Sequence, residues 1–341
     1  MMPSKISDLG EKLLIKRLLS KSKNPRLNSL FLDENSIKSL SDDAALLNLG
    51  ENYLVACSDM LIQSTHFPKE MSPYQIGKKI VTVNVSDLAA MGAETIGIIV
   101  SMGLPKNMLL TDFDDLVDGV LDNCNKYGMA LIGGDTNESS ELTLSGTCLG
   151  IVGKKNVMMK NGTHPGDIVA VTGPLGLAAA GFKVLLNPFH NKNPLEEDTK
   201  NLVIKHALEP EAKMKEGIIL AKSNSISSAT DITDGLLSEL GELIDANENE
   251  IGFIISMKDL PIPKEVFDIA NITGSDPLDM ATAYGEDFEL LLTVPPNLFN
   301  DLKTKLSIYK IGLVDSSGKI KMIDKEGNTN IITPRGYEHL K

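Results

Sequence analysis

The chain has 341 residues, with 33 basic and 46 acidic side chains and a formal net charge of −13. That length exceeds one average core and predicts two domains, while the charge repels phosphate backbones and argues against nucleic acid as a partner. With 42% hydrophobic and 23% charged residues, disorder and collagen-like architecture are excluded. The first stretch, MMPSKISDLGEKLLIKRLLSK, reads as an amphipathic helix with interspersed acids and lacks the apolar block of a signal peptide. Ala44 to Leu49 and Tyr53 to Ser58 are short apolar runs around Gly50-Glu51-Asn52, a hairpin signal. Ser72-Pro73 reads as an N-cap and first-turn proline. The helix behind it carries Ile76, Ile80, Val83 and Leu88 at helical spacing and ends near Gly92. Ile96 to Met102 reads as a buried strand. Thr111 is the expected cap of a second helix with Phe113, Leu116, Val117, Val120, Leu121 and Cys124 on one stripe. Strands follow around Met129 to Ile132 and Leu142 to Val152.

After Lys154 the pattern restarts. A strand over Asp167 to Thr172 leads through a glycine-rich turn into a helix ending at Leu186. Asn187 to Lys200 is polar and reads as a surface excursion. A helix near Glu211 to Ala221, a strand at Ser228 to Asp231 and a helix at Leu236 to Asn247 come next, then strands at Ile251 to Ser256, Glu289 to Val294 and Ile308 to Val314. The expected architecture is α+β, in two domains meeting near residue 153. No apolar run approaches the ~20 residues of a membrane span, so no membrane partner is expected. Cys57, Cys124 and Cys148 form no CxxC pair and read as reduced, buried thiols of a cytoplasmic protein.

The chemistry concentrates in aspartates at the edges of apolar runs: Asp42 and Asp43 (SDDAALL), Asp59 (VACSDM), Asp87 (NVSDLAAMGA), Asp135 (LIGGDT), and Asp231 and Asp234 (ATDITDGL). A carboxylate beside buried strands needs a counter-charge, because losing its hydration costs several kcal/mol. Few cations lie nearby in sequence, and oxygen-only ligands point to Mg²⁺ rather than zinc. Taken singly, Asp231 also suits a strand end and Asp234-Gly235 a turn or helix cap. Asn84 and Asp87 share one face of an otherwise apolar helix. Gly133-Gly134 after a strand and Gly173 to Gly176 before a helix are weak phosphate signals. Neither is a GxxxxGK[ST] or GxGxxG loop, so a P-loop kinase and a Rossmann dehydrogenase are disfavoured. The histidines show no HExxH spacing, and no serine or cysteine has the setting of a covalent nucleophile.

Eight segments in order, SDDAALL, SDMLIQSTHF, KKIVTVNVSDLAAMGAE, LIGGDT, KNGTHPGDIVAVTGPLG, DITDGLLSEL, GEDFELLLT and PRGYEHL, together resemble the thiamine-monophosphate kinase family. That family belongs to the superfamily of aminoimidazole ribonucleotide synthetase and selenophosphate synthetase. The resemblance implies that superfamily's two-domain fold: an α/β N-terminal domain with a mixed sheet, over residues 1–153, binding ATP and Mg²⁺ and forming a homodimer, and an α+β C-terminal domain, over 154–341, completing an acidic cleft. It implies transfer of the ATP γ-phosphoryl group to thiamine monophosphate, assisted by several Mg²⁺ ions and needing no general base, since the acceptor is an ionised phosphate. Asp43, Ser58, Asp59, Asp87, Asp135, Asp231 and Asp234 match metal-site positions. Gly134, Asp135 and Thr233 match positions holding ATP phosphates, and Lys160 one often filled by Arg, where it would act electrostatically. His66, Glu286 and Tyr337 match contacts to the thiamine moiety.

Three departures accompany the match. Cys57 stands where Thr is frequent, Val117 where some relatives place an aromatic near the adenine, and Glu209 and Glu211 flank Pro210 where basic residues are expected. The alternatives are a sister synthetase of the same superfamily and a catalytically silent nucleotide-binding regulator. Selenophosphate synthetase would want a reactive Cys near the N-terminus, where this chain has none before Cys57. A silent regulator would have lost metal aspartates, and here all are present.

Overall fold

In the computed structural model, which describes residues 6, 10–21, 31–186 and 196–340, two sheets are arranged along the chain. The first contains β1 (Ala45–Asn48), β2 (Asn52–Ile62), β3 (Glu94–Leu104), β4 (Ala130–Glu138) and β5 (Thr143–Gly153), in the order β1-β2-β5-β3-β4. It is mixed: β3 and β4 run parallel and the other pairs antiparallel. The first five helices are α1 (Glu11–Lys21), α2 (Glu34–Lys38), α3 (Gln63–His66), α4 (Pro73–Ala90) and α5 (Leu110–Lys126).

The second sheet contains β6 (Ile168–Val171), β7 (Ser228–Asp231), β8 (Gly252–Ser256), β9 (Leu290–Val294), β10 (Tyr309–Asp315), β11 (Ile320–Ile323) and β12 (Thr329–Ile332). Their order is β12-β11-β8-β10-β6-β9-β7. Its helices are α6 (Leu177–Leu186), α7 (Glu197–Leu208), α8 (Met214–Ser223), α9 (Leu236–Ala246), α10 (Lys264–Thr273), α11 (Pro277–Thr282) and α12 (Pro296–Lys305). The α+β expectation is met. No helix among the described residues is long and apolar enough to cross a membrane.

Local signals place most elements. The expected hairpin is the antiparallel β1–β2 pair, with Gly50 at φ +86° in its turn. Ser72 accepts from the Gln75 N–H while the Gln75 side chain accepts from the Ser72 N–H, a capping box that starts α4 with Pro73 in its first turn. Other expectations shift. α5 begins at Leu110 with Leu109 as a cap that makes no side-chain hydrogen bond, so Thr111 lies inside the helix. The segment 197–200, read as surface excursion, opens α7, and 187–195 lie outside the described residues. The helix read from Glu211 begins at Met214. α10, α11, α12, β11 and β12 were not expected.

The core explains how the halves join. β6, β7 and β9 are buried at every residue, as strands covered on both faces must be. Ile168, Ala170, Leu290, Leu292 and Val294 share one cluster with Ile80, Val81, Val85 and Leu88 of α4. Val169, Val171 and Leu291 point the other way, into a cluster with Leu236, Leu240 and Leu243 of α9. Thus α4 lies between the two sheets and carries Asp87 to the seam.

Candidate active site

Asp43 just precedes β1, Asp59 lies in β2, Asp87 in the last turn of α4, and Asp231 ends β7. The apolar packing of α4 draws these four into one electrostatic neighbourhood. Asp43 Oδ1 accepts from Lys160 Nζ at 2.8 Å and from the Thr230 hydroxyl at 3.0 Å. Oδ2 of Asp43, of Asp59 and of Asp231 are each buried with no hydrogen-bond partner, as is Ser86 Oγ. Burial, then the negative charge of Asp43, pushes Asp231 up to about 8. Burial lifts Asp59 to about 6, with Asp43 adding and a hydrogen bond to Asp87 opposing. Asp87 is raised well above the carboxylate range by burial and by Asp59, Asp231 and Asp43.

Three acids with open oxygens in a low-dielectric seam are costly without a cation. Among the described residues no three His, Cys, Asp or Glu side chains stand close enough together to hold a metal ion by themselves. Mg²⁺ keeps several waters and takes one or two carboxylates plus substrate phosphates, so separated carboxylates with free oxygens fit that ion. The fit does not extend to every expected ligand. The Ser58 hydroxyl donates to the Gly146 carbonyl at 2.9 Å and contacts Thr147 Oγ1 at 3.0 Å, on the face of β2 opposite Asp59. Asp135 stands on exposed β4, where its Oδ2 accepts from Asn137 at 2.8 Å; no contact ties it to the buried acids. Asp42 is used structurally, accepting from the backbone N–H groups of Asp43 and Lys160.

Lys160 is buried between Asp43 Oδ1 and Glu242 Oε2, at 2.8 and 2.7 Å. Burial lowers its pKa, but Asp43, Glu242 and Glu239 outweigh it and hold the ammonium well above its ordinary value. Glu242 also accepts from Lys12 of α1 at 3.2 Å, and Glu239 Oε1 accepts from the Asp234 N–H at 3.0 Å. Burial, then Glu242, lifts Asp234 to about 6. Sequence reasoning missed Glu239 and Glu242; their i, i+3 spacing on the helix after DITDG was the available signal. Thr233 accepts the Glu286 N–H through its carbonyl at 2.8 Å, which ties two of the expected site residues together.

Gly134 lies where β3 and β4 approach so closely that a Cβ would sit 2.1 Å from the Val100 carbonyl oxygen. Beside it, Val117, Phe113, Leu131, Ile132 and Asp135 line a shallow groove of about 420 Å³ between α5 and β4. The second glycine site is closed to phosphate. Both oxygens of half-buried Asp287 accept from the Gly176 N–H, at 3.0 and 2.9 Å, occupying the start of α6. A Cβ at Gly173 would meet Glu289, whose carboxylate already holds Lys213 at 2.9 Å and the Thr172 hydroxyl at 2.6 Å.

His66, Glu286 and Tyr337, far apart in sequence, do converge. Lys79 Nζ donates to both Glu286 oxygens, at 2.7 and 2.8 Å, and to the His66 carbonyl at 3.1 Å. His339 bridges the rest, with its ring centroid 5.0 Å from that of His66 and 4.8 Å from that of Tyr337 in an edge-on contact. Burial, with the charges of His339 and Lys79 adding and a backbone hydrogen bond at Ile62 opposing, leaves the His66 pKa below its ordinary value. The tail is seated by the Tyr337 N–H donating to the Asp234 carbonyl at 3.1 Å. The departure around Pro210 has a local compensation: Lys78 and Gln75 of α4 hold Glu209 at 2.7 and 3.0 Å, and Lys126 holds Glu211 at 2.8 Å.

Family models for AIR synthase related proteins match residues 41–152 (N-terminal domain) and 164–325 (C-terminal domain). The thiamine-monophosphate kinase of Pyrococcus horikoshii is 32% identical over 324 residues, covering 95% of this chain and 98% of the relative. The chain belongs to the thiamine-monophosphate kinase family. A relative of the same name from Methanocaldococcus jannaschii is 35% identical over 300 residues, covering 85% and 90% of the two chains. Among solved structures, AaThiL complexed with AMPPCP and TMP superposes with a TM-score of 0.84 at 25% identity, covering 99% of this chain and all of that one. A hydrogenase maturation protein, HypE, in complex with ATP shares the fold at a TM-score of 0.69, 16% identity and 95% and 96% coverage.

Proposed function

We propose that this family member transfers the γ-phosphoryl group of ATP to the phosphate of thiamine monophosphate, giving thiamine diphosphate and ADP. The carrying observation is the trio of buried, unpartnered carboxylate oxygens on Asp43, Asp59 and Asp231 beside the fixed charge of Lys160. Asp43, Asp59, Asp87 and Asp231 would hold Mg²⁺, with Asp234 and Asp135 as further candidate ligands from the family match; Ser58, which that match also names, would have to contribute through its backbone, since its hydroxyl is held on the other face of β2. Bound there, Mg²⁺ supplies charge neutralisation for the two anionic reactants.

The chain's own groups do the remaining work. Lys160 offsets the charge of Asp43 and Glu242 and keeps one ammonium N–H for a phosphate. Gly134, Asp135 and Thr233 are the proposed ATP-phosphate positions, with the groove beside Val117 for the base. His66, Glu286 and Tyr337 take the thiamine end. The acceptor phosphate oxygen is already ionised, so no side chain has to remove a proton. Positioning and electrostatics then carry the reaction.

The proposed division is an N-terminal ATP- and Mg²⁺-binding domain over 1–153 and a C-terminal domain over 154–341 that completes the cleft. The outer face of the first sheet supports a homodimer. Leu54, Ala56, Met60, Ile99, Leu149 and Ile151 lie on it only partly covered or exposed, with Met60 57% accessible, and a second copy would bury them. Three free buried cysteines agree with a reducing, cytoplasmic setting.

The test is ADP release from ATP and Mg²⁺ with thiamine monophosphate or unphosphorylated thiamine as acceptor. Turnover only with the monophosphate, with thiamine diphosphate as product, is the expected result. ATP binding without turnover on either acceptor would move the assignment to a sister synthetase or a silent binder.

A further inference from the structure

Lys79 is 1% exposed and among the largest fully buried side chains. A buried lysine is costly unless its charge and all three donors are satisfied. Here they are, by the two Glu286 oxygens and the His66 carbonyl, while the Phe182 ring of α6 lies 6.0 Å from the ammonium. Its partners come from opposite ends of the chain: His66 follows β2 of the first sheet, and Glu286 lies 207 residues beyond Lys79.

The backbone around Glu286 is held against its preference. Glu286 and Phe288 adopt φ of +67° and +51°, sparsely populated for residues with a Cβ. Every residue of the segment is tied down. Gly285 packs so close that a Cβ would sit 1.8 Å from the Thr233 carbonyl oxygen. The Glu286 N–H donates to that carbonyl, Asp287 caps α6, and the Phe288 N–H donates to the Ile232 carbonyl at 3.0 Å. Strain maintained this tightly marks a conformation that the site requires.

We propose that Lys79 is a positioning residue for the thiamine end of the site, reaching from α4 to fix the Glu286 carboxylate and the His66 backbone in one geometry. The inference rests on the functional reading above and deepens it. Because Lys79 already balances the charge of Glu286, the exposed edge of that carboxylate serves as a directed hydrogen-bond acceptor. Its partner is an N–H donor on a neutral ring, the aminopyrimidine of thiamine monophosphate. Glu286 remains 28% exposed at its side chain, so loss of Lys79 lets water and new rotamers reach it without leaving a buried lone charge.

The experiment is steady-state kinetics on the full-length wild type, Lys79→Met, Lys79→Gln, Glu286→Gln and the double variant Lys79→Met/Glu286→Gln, varying thiamine monophosphate and ATP separately. Lys79→Met is expected to raise KM for thiamine monophosphate about tenfold, the loss of a charge-assisted hydrogen bond. Its kcat and its KM for ATP should stay within about threefold of wild type. Lys79→Gln, which keeps two N–H donors, should recover part of that KM; it carries the test if the methionine variant does not fold. The double variant should be no worse than the poorer single, because the two residues act as one unit. An unchanged KM for thiamine monophosphate, a parallel loss in both KM values and kcat, or additive effects in the double variant would overturn the positioning role. A wild type inactive on thiamine monophosphate would overturn the functional reading and this inference with it, whereas an active wild type with indifferent Lys79 variants overturns the inference alone.

Discussion

Two sets of buried acids separate structure from function in this molecule. Asp287 and the cluster of Asp43, Asp59, Asp87 and Asp231 are alike in burial and in carboxyls raised above their ordinary range; Asp287 and Asp231 both reach about 8. They differ in satisfaction. Asp287 spends both oxygens on the Gly176 N–H just before α6. Asp43, Asp59 and Asp231 each retain an oxygen that nothing in the protein meets. Burial and a shifted pKa alone are shared by a helix cap and the proposed site. The unmet acceptor marks the place where a ligand belongs.

The largest expected effect tests that distinction directly. Asp231→Asn should lower turnover about a hundredfold or more, since it removes one of the carboxylates that would hold the Mg²⁺ neutralising the transferring group. It should also raise the melting temperature of the ligand-free protein by about 2 °C, because an amide removes the cost of burying an ionisable carboxyl among other acids. Thermal melts with and without a phosphoryl-transfer assay on the same preparations measure both. A fold-preserving variant with near-normal turnover would remove Asp231 from the site. Asp135→Asn, on the exposed strand, is expected to lose about tenfold in turnover with the fold retained, and undiminished turnover would leave Asp135 outside the phosphate-binding set.

Smaller effects sharpen the contrast. Tyr337→Ala should raise KM for thiamine monophosphate about threefold with little change in kcat, and an unchanged KM would show that its ring meets only His339. For Asp287 the expected readout is stability against pH. Its folded pKa of about 8 lies above the ordinary carboxylate value of 3.8, so between these the folded state holds a proton the unfolded chain has released. Its stabilisation is therefore complete at the acid end and fades as pH rises through about 8. Asp287→Asn should flatten part of the decline in melting temperature from pH 5 to 8, with activity near wild type. An unaltered slope would mean that the helix N–H groups keep Asp287 ionised.

The sequence carries the parts of this picture that depend on near neighbours. The capping box of α4 and the β1–β2 hairpin announce themselves within four or five residues. The aspartates stand out because acids beside small apolar residues have no local counter-charge. Residues whose role is made by distant partners were silent. Lys78 and Lys79 are indistinguishable as a pair, yet one meets Glu209 at 2.7 Å near the surface and the other is sealed against Glu286. Asp287 looks like one of the three acids of GEDFE, and only its contact to Gly176, 111 residues earlier, makes it a cap. α7 was hidden because its polar opening turn matches a loop in composition, and only Val203, Ala207 and Leu208 are buried.

The most direct measurement compares Asp231→Asn with Asp287→Asn in one assay: ADP release from ATP and Mg²⁺ with thiamine monophosphate, alongside melting curves. The unmet carboxylate should prove indispensable to turnover and dispensable to folding. The satisfied one should be close to wild type in turnover, with its effect confined to stability. Equal losses of activity in both variants, or an active Asp231→Asn enzyme, would contradict the assignment of the seam between the sheets as the site of phosphoryl transfer.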